Sequence, residues 1–483
     1  MKICMNELIR SVAVALDMVE CELLGASTNH GKRVAVLCAL MGKKLGMTEE
    51  EIRAVATCAL FHDNALTEYV LYMQEGADWE SHFKLHCEYG QRNIEMLPFK
   101  SDISGLILYH HEQADGGGLF GKKEGEFPLG AELIAIADTF DVKHHLQRPP
   151  SERLSLLKDE IRSETGKLYT QTAAKAMLAV LNENTLLSLR DENISGTIAQ
   201  ILPEWEVDIE NEACMRLANL TANIIDNKSP FTRKHSVQIA NRAWIMGGYY
   251  GFEPTMRVKM YLAAALHDIG KLATPNEILD KPGKLNDSEF QTIKDHVKVT
   301  YDILSEITGF EEICRWASSH HEKLDGTGYY FGKNADNLDF ISRILVCTDI
   351  YQAICEERPY HPARSHADTM EIMYDMAQMG FIDSKIVKDF DIAMAPYSNK
   401  DVPSPNSSDE SIAGVTGATL SDAGASQHVK PTPKNPQQRG WRCKVCAYVF
   451  PGDDLPPDFI CPVCHSGAND FTKMSGIKGE QIH

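Results

Sequence analysis

YLAAALHDIGK, residues 261–271, and VATCALFHDNAL, residues 55–66, each run an apolar stretch into a His-Asp pair, and this recurrence decides how the chain is read. Each pair has an earlier histidine at the same interval: His30 stands 32 residues before His62, and His235 stands 32 before His267. Downstream, His86 and His296 are each followed 24 residues later by a doublet, His110-His111 and His320-His321, and both doublets continue as H-H-E-x-x-D-G. An aspartate in an apolar segment closes each set, Asp138 in LIAIADTF and Asp349 in RILVCTDIY. Self-similarity of this kind marks an internal duplication. One interval differs much: the second copy is five residues longer between the His-Asp pair and the next histidine, and the extra length falls near PNEILDKPGKLND, whose Pro and Gly mark a loop.

Around these positions VLCALMGKKLG, VKMYLAAALHDIG and HVKVTYDILSEI place apolar residues at i, i+3, i+4 and i+7, so each half is predicted to be an all-α bundle. The expected organisation is a first domain over 1–150, connecting helices over 151–210, a second domain over 211–395, a flexible linker over 396–438 and a small metal domain over 439–475. The linker is expected from its Ser, Pro, Gly, Ala and Asn content.

The 483 residues exceed a single core, and no apolar run reaches the ~18 residues of a membrane span. The N-terminus, with acidic residues through its apolar stretch, reads as a helix and not a signal peptide. A net charge of −20 argues against DNA, RNA or anionic membrane as partners, which need a basic face. Thirteen cysteines without a leader point to a reducing, cytoplasmic setting. Nine of them, Cys58, Cys314 and Cys347 for example, read as small buried hydrophobes.

Ten of the eighteen histidines lie at the matched positions, and with two aspartates per copy they form a metal-ligand set. Imidazole nitrogen suits Fe, Mn, Ni, Co or Zn, and a carboxylate can bridge two ions that share a water. Asp268 is the expected bridge. His267 precedes it on the same helix, and each double histidine needs a helix end or kink for both rings to converge. His30, His62, Asp63, His86, His110, His111 and Asp138 are the corresponding set in the first copy.

The second copy resembles the HD superfamily of metal-dependent phosphohydrolases, and within it the HD-GYP branch, through HDIGK (267–271), His296, HHEKLDGTGYY (320–330) and TDIYQAICEERPY (348–360). The resemblance implies two divalent ions, Fe or Mn, one held by His235, His267, Asp268 and Asp349, the other by Asp268, His296, His320 and His321. It also implies hydrolysis of cyclic di-GMP to the linear dinucleotide and onward to GMP, with water attacking phosphorus in line. Asp268 and Lys271 would carry catalysis; Lys271, Gly328, Tyr329 and Arg358 would bind substrate; Glu322 would orient a ligand. Three departures stand out. Tyr330 replaces the Pro of the G-Y-P motif, Phe231 stands where some members have a third-metal Glu, and His361 follows R-P-Y where many have a basic residue. The first copy keeps the ligands, and so is expected to bind metal, but HDNAL lacks Gly-Lys and DGGGLF lacks Gly-Tyr-Pro, which favours a regulatory or assembly role.

Cys443-x-x-Cys446 and Cys461-x-x-Cys464, two C-x-x-C pairs in one short stretch, are expected to form one tetrathiolate site. With Trp441, Tyr448, Pro462 and Phe471 they resemble the short, β-rich rubredoxin-like domain of rubrerythrins, which implies one Fe, with Zn as the alternative. TGATLS, 416–421, resembles the signal for FMN attachment at Thr419, but Ala413 replaces the upstream Asp and the match reads as a low-complexity coincidence. The leading expectation is thus a cyclic dinucleotide phosphodiesterase under redox control. The alternatives are a non-hydrolytic nucleotide or oxygen sensor and a mixed-valence di-iron oxygenase. A redox partner protein and a homo-oligomer are both compatible with the sequence.

Overall fold

The computed structural model describes residues 2–24, 27–66, 79–148, 153–208, 210–229, 234–281, 283, 285–356, 363–398, 401–405, 440–443, 449–451, 454–457 and 468–474. They form two compact units, Met1–Lys228 with Glu306–Gly309, and Ser229–Ser305 with Phe310–His483. No described helix is long and apolar enough to cross a membrane.

In the first unit a short strand, β1 (Lys2–Cys4), leads into α1 (Met5–Leu24), followed by α2 (His30–Leu45), α3 (Glu49–Leu60), α4 (Trp79–Ile94) and α5 (Leu129–His144). β1 pairs antiparallel with β2 (Glu206–Asp208), Ile3 opposite Val207. The core is the apolar face of α2, with Val34, Leu37 and Met41 fully buried, against Ile52, Val55 and Ala59 of α3 and Leu133, Ile134 and Phe140 of α5. Local signals set these ends. Gly46 closes α2 at φ 75°, where a side chain would be strained, and Thr48 and Glu51 form a capping box at the start of α3. The helices Gln171–Val180 and Asp191–Ile201, read from sequence as part of a connector, pack on α2 within this unit.

The second unit repeats the pattern with α6 (His235–Tyr249), α7 (Pro254–Leu266), α8 (His296–Ser305) and α9 (Phe340–Cys355). Pro254 starts α7 at a position where its missing N–H is not needed. α6 packs on α7 and α9 through Ile239, Ala243 and Met246. Within the stretch expected to be a flexible linker, Val402 is buried: its N–H donates to Gln238 Oε1 at 2.8 Å and its carbonyl accepts from Asn241 Nδ2 at 2.9 Å.

Towards the C-terminus β3 (Gly440–Cys443) lies between β4 (Val449–Pro451) and β5 (Phe471–Met474), both antiparallel to it. Cys443 pairs with Phe471 on this sheet, while Cys446, Cys461 and Cys464 fall outside the described residues. So do Thr419, Phe231, Arg358 and His361.

Candidate metal centres

The His-Asp pair lies just past a helix end in both units, rather than within a helix as its sequence suggests. α7 stops at Leu266, His267 caps it and Asp268 opens a 3-10 turn over Ile269–Ala273. In the first unit α3 stops at Leu60, and His62-Asp63 occupy the turn that follows. Consecutive side chains on an α-helix splay about 100° apart, so breaking the helix is what lets both side chains of the pair face one point. Each double histidine likewise lies in turns rather than a helix, His320 three residues after the helix Glu311–Ala317 ends. The residues just before the first histidines, Asn29 and Lys234, share the left-handed conformation, φ 62° and 66°. Both are non-glycine, so matched strain is stored at matched positions.

In the second unit one carboxylate faces two groups of donors. Asp268 Oδ2 lies 3.1 Å from His267 Nε2 and 3.8 Å from His235 Nε2, while Oδ1 lies 3.3 Å from His296 Nε2 and 3.7 Å from His320 Nε2. Asp349 Oδ1 lies 3.6 Å from His235 Nε2, and its Oδ2 3.7 Å from His321 Nδ1. Lys271 Nζ donates to Asp268 Oδ2 at 2.6 Å. Tyr329 stacks on His321, centroids 4.7 Å apart, and its N–H donates to the His321 carbonyl.

The first unit reproduces this geometry. Asp63 Oδ2 is 3.5 Å from His62 Nε2, and Oδ1 is 3.5 Å from His86 Nε2 and 3.9 Å from His110 Nε2. Asp138 Oδ1 is 3.1 Å from His30 Nε2, and its Oδ2 3.9 Å from His111 Nδ1. Leu66, buried, takes the place of Lys271.

Both sets fit divalent cations. Nδ1–H of His62, His110, His267, His296 and His320 donates to the carbonyl three residues earlier, which leaves Nε2 as the ligand atom. Nε2 of His62, His110 and His267 and Oδ1 of Asp268 are buried without a hydrogen bond, a costly state unless a cation takes them up. Donor separations of 3–4 Å suit ligands each roughly 2.0–2.2 Å from a shared ion. Burial pushes the His296 and His320 imidazoles down to about 4 and about 3, so these rings are neutral donors. Burial acts the same way on His235, but Glu356, Asp349 and Asp268 outweigh it and hold that ring up at about 10.

Sequence reasoning missed the groups that orient the first histidines. His235 Nδ1 bonds Glu356 Oε2 at 2.8 Å, and His30 Nδ1 bonds Asp141 Oδ2 at 2.7 Å. Glu356 comes seven residues after Asp349, but Asp141 only three after Asp138, so no repeat spacing signals them. The Glu322 carboxylate accepts the N–H groups of Phe331 and Lys333, as Glu112 does for Phe120 and Lys122, and so fixes the following loop. Gly328 is required by close approach, since a Cβ there would lie 2.5 Å from Glu322 Cα; Gly118 keeps the same contact in the first unit. Glu20 of α1 is a further missed carboxylate, 2% exposed, with Oε2 unpartnered.

A family model described as HD domain matches residues 16–160 and 219–386, and one described as rubrerythrin, rubredoxin-like domain matches 441–472. A 3'3'-cGAMP-specific phosphodiesterase 1 of Vibrio cholerae is 31% identical over 390 residues, 78% of this chain and 88% of that one. A cyclic di-GMP phosphodiesterase of Pseudomonas aeruginosa is 29% identical over 258 residues, 51% of this chain and 58% of that one. A solved cyclic GMP-AMP-specific phosphodiesterase of V. cholerae shares the fold, with a TM-score of 0.58 at 23% identity over 82% of this chain and 98% of that one.

Proposed function

The chain belongs to the HD-domain family, and from that membership we propose that its second unit is a metal-dependent phosphodiesterase that opens a cyclic dinucleotide, while the first unit holds metal without turning the diester over. The observation that carries this is the gathering of His235, His267, His296 and His320 on Asp268, with Asp349 set against His235 and His321 and with Lys271 Nζ 2.6 Å from the shared carboxylate. Relatives named for 3'3'-cGAMP and for cyclic di-GMP support the substrate class. Cyclic di-GMP and 3'3'-cGAMP are both candidates within it.

His235, His267, Asp268 and Asp349 would hold one cation and Asp268, His296, His320 and His321 the other. Bound there, such cations would neutralise a phosphodiester and lower the pKa of a water. The protein's own part is positional. Carbonyl bonds fix the histidine rings, Asp268 divides its two oxygens between the groups, and the Tyr329 ring holds His321 in place. Lys271, about a fifth exposed, adds a positive charge at the rim where a phosphate oxygen gains negative charge. Hydrolysis adds water oxygen to phosphorus, breaks one P–O3' bond and leaves the proton on O3', giving the linear dinucleotide.

The tail is proposed to hold one iron on Cys443, Cys446, Cys461 and Cys464. Its fusion to sites that accept iron makes turnover faster in the reduced protein the second element of the reading. Lys271→Ala tests the first element. Turnover is expected to fall by 10²-fold or more, the scale of losing one charge-stabilising group, with the metal content of the second unit unchanged. Unchanged turnover would remove Lys271 from the mechanism.

A further inference from the structure

The two centres differ by one donor. After the third histidine of each set the second unit has Val297 and the first has Cys87, both fully buried. Cys87 Sγ lies 3.7 Å from His86 Nε2, and the sulfur falls with one nitrogen each of His86, His110 and His111 in a cluster whose atoms are all within 4.8 Å of one another. Two atoms bound to one Zn-sized ion, sulfur at roughly 2.3 Å and nitrogen at roughly 2.0–2.1 Å, stand at most about 4.4 Å apart. Cys87 Sγ also lies 3.8 Å from His86 Nδ1, and the two residues are consecutive in α4, so sharing an ion requires the sulfur to turn off the His86 ring towards His110 and His111, whose donors lie within the same 4.8 Å. His110 Nε2, in the same cluster, is buried without a hydrogen bond, which independently points to a cation there.

We propose that Cys87 is a thiolate ligand of the first metal centre, making it a His/Cys site for zinc or iron, unlike the nitrogen and oxygen donors of the second. This rests on the reading that the first set holds metal. Thiolate favours softer ions over manganese or magnesium. It also fills a position that a hydrolytic site leaves open for water or substrate. Together with Leu66 in place of Lys271, a filled coordination shell accounts for a centre that binds metal without opening the diester.

The test is cobalt(II) loading of the full chain without oxygen, comparing wild type, Cys87→Val and His62→Ala/Asp63→Ala by metal analysis and absorption. Cys87→Val copies the second unit, and Cys87→Ser serves as a second variant should Val disturb packing. The tail cysteines contribute equally to all of these. The expected result is a thiolate-to-cobalt charge-transfer component present in wild type and missing from both Cys87 variants, while His62→Ala/Asp63→Ala loses that component together with its cobalt. Identical spectra in wild type and Cys87→Val at full cobalt content would overturn the thiolate ligand but leave the first centre standing. No loss of cobalt in His62→Ala/Asp63→Ala would remove the first centre and the proposal with it.

Discussion

Among the individual residues, the candidate ligands were legible because their chemistry and intervals repeat, whereas the carboxylates bonded to His235 and His30 were not. His235 depends on Glu356, whose other oxygen accepts from Gln352, and His30 depends on Asp141, which also pairs with Arg33 Nε at 2.8 Å. Each carboxylate lies on or just past the helix that carries the closing aspartate, at an offset peculiar to its unit. Glu356→Gln is expected to weaken metal binding in the second unit by 10–100-fold, the usual effect of removing such a partner, and to leave the first unit unchanged. Competition with a chelator measures this, and equal affinities would show that Glu356 does not orient His235. Asp141 differs because Arg33 is wholly buried beside it; with only the half-exposed Asp191 left to pair with that guanidinium at 3.4 Å, loss of Asp141 would be a folding defect as well.

At the level of elements, apolar periodicity located the helices, but their ends followed from contacts that no pattern displays. Gly270, just after the His-Asp pair, has no room for a side chain: a Cβ would stand 2.0 Å from the His296 carbonyl oxygen. Thr300 ties this turn to α8 by accepting from the Gly270 N–H and donating to the His267 carbonyl. The first unit makes the same junction differently, with Ala65 in the turn, Gly90 on α4 and Asn64 Nδ2 donating to the Gly90 carbonyl. Gly270→Ala must therefore push α8 away, costing about 1–3 kcal/mol of stability and the metal of the second unit, whereas Ala65→Gly should be tolerated in the first. Metal stoichiometry of the two variants checks this; full occupancy in Gly270→Ala would contradict it. Asp339 governs α9, the helix that carries Asp349, by accepting from the Ser342 N–H at 2.8 Å, Trp316 Nε1 at 2.9 Å and Arg315 Nε at 2.9 Å. Burial pushes its carboxyl up, but these donors outweigh burial and hold it below the usual range. A carboxyl with a depressed folded-state pKa stabilises above its ordinary value of about 4, and that contribution disappears as pH falls through the folded-state pKa. Wild type should thus exceed Asp339→Asn in thermal stability at neutral pH, by about 1 kcal/mol as for a lost cap, and the gap should close in acid. A gap that persisted at low pH would assign the effect to packing.

Over the whole molecule, the duplication, the helical class of both halves and the rubredoxin-like character of the cysteine-bearing tail were all legible, because each leaves a signature in spacing or composition. The loss of Lys271 at Leu66 was legible too; what lay beyond the sequence was how alike the halves are in donor geometry, and that Cys87 stands among the donors of the first where Val297 stands in the second. On the proposed function, these differences assign turnover to the second unit alone. The most direct measurement is cyclic dinucleotide hydrolysis, with 3'3'-cGAMP and cyclic di-GMP in turn, by anaerobically reduced, metal-loaded full chain carrying His267→Ala/Asp268→Ala or His62→Ala/Asp63→Ala. The first pair is expected to abolish linear product while the second pair leaves at least a tenth of wild-type turnover. Turnover that survived loss of His267 and Asp268 but vanished with His62 and Asp63 would contradict that assignment and give the chemistry to the first unit.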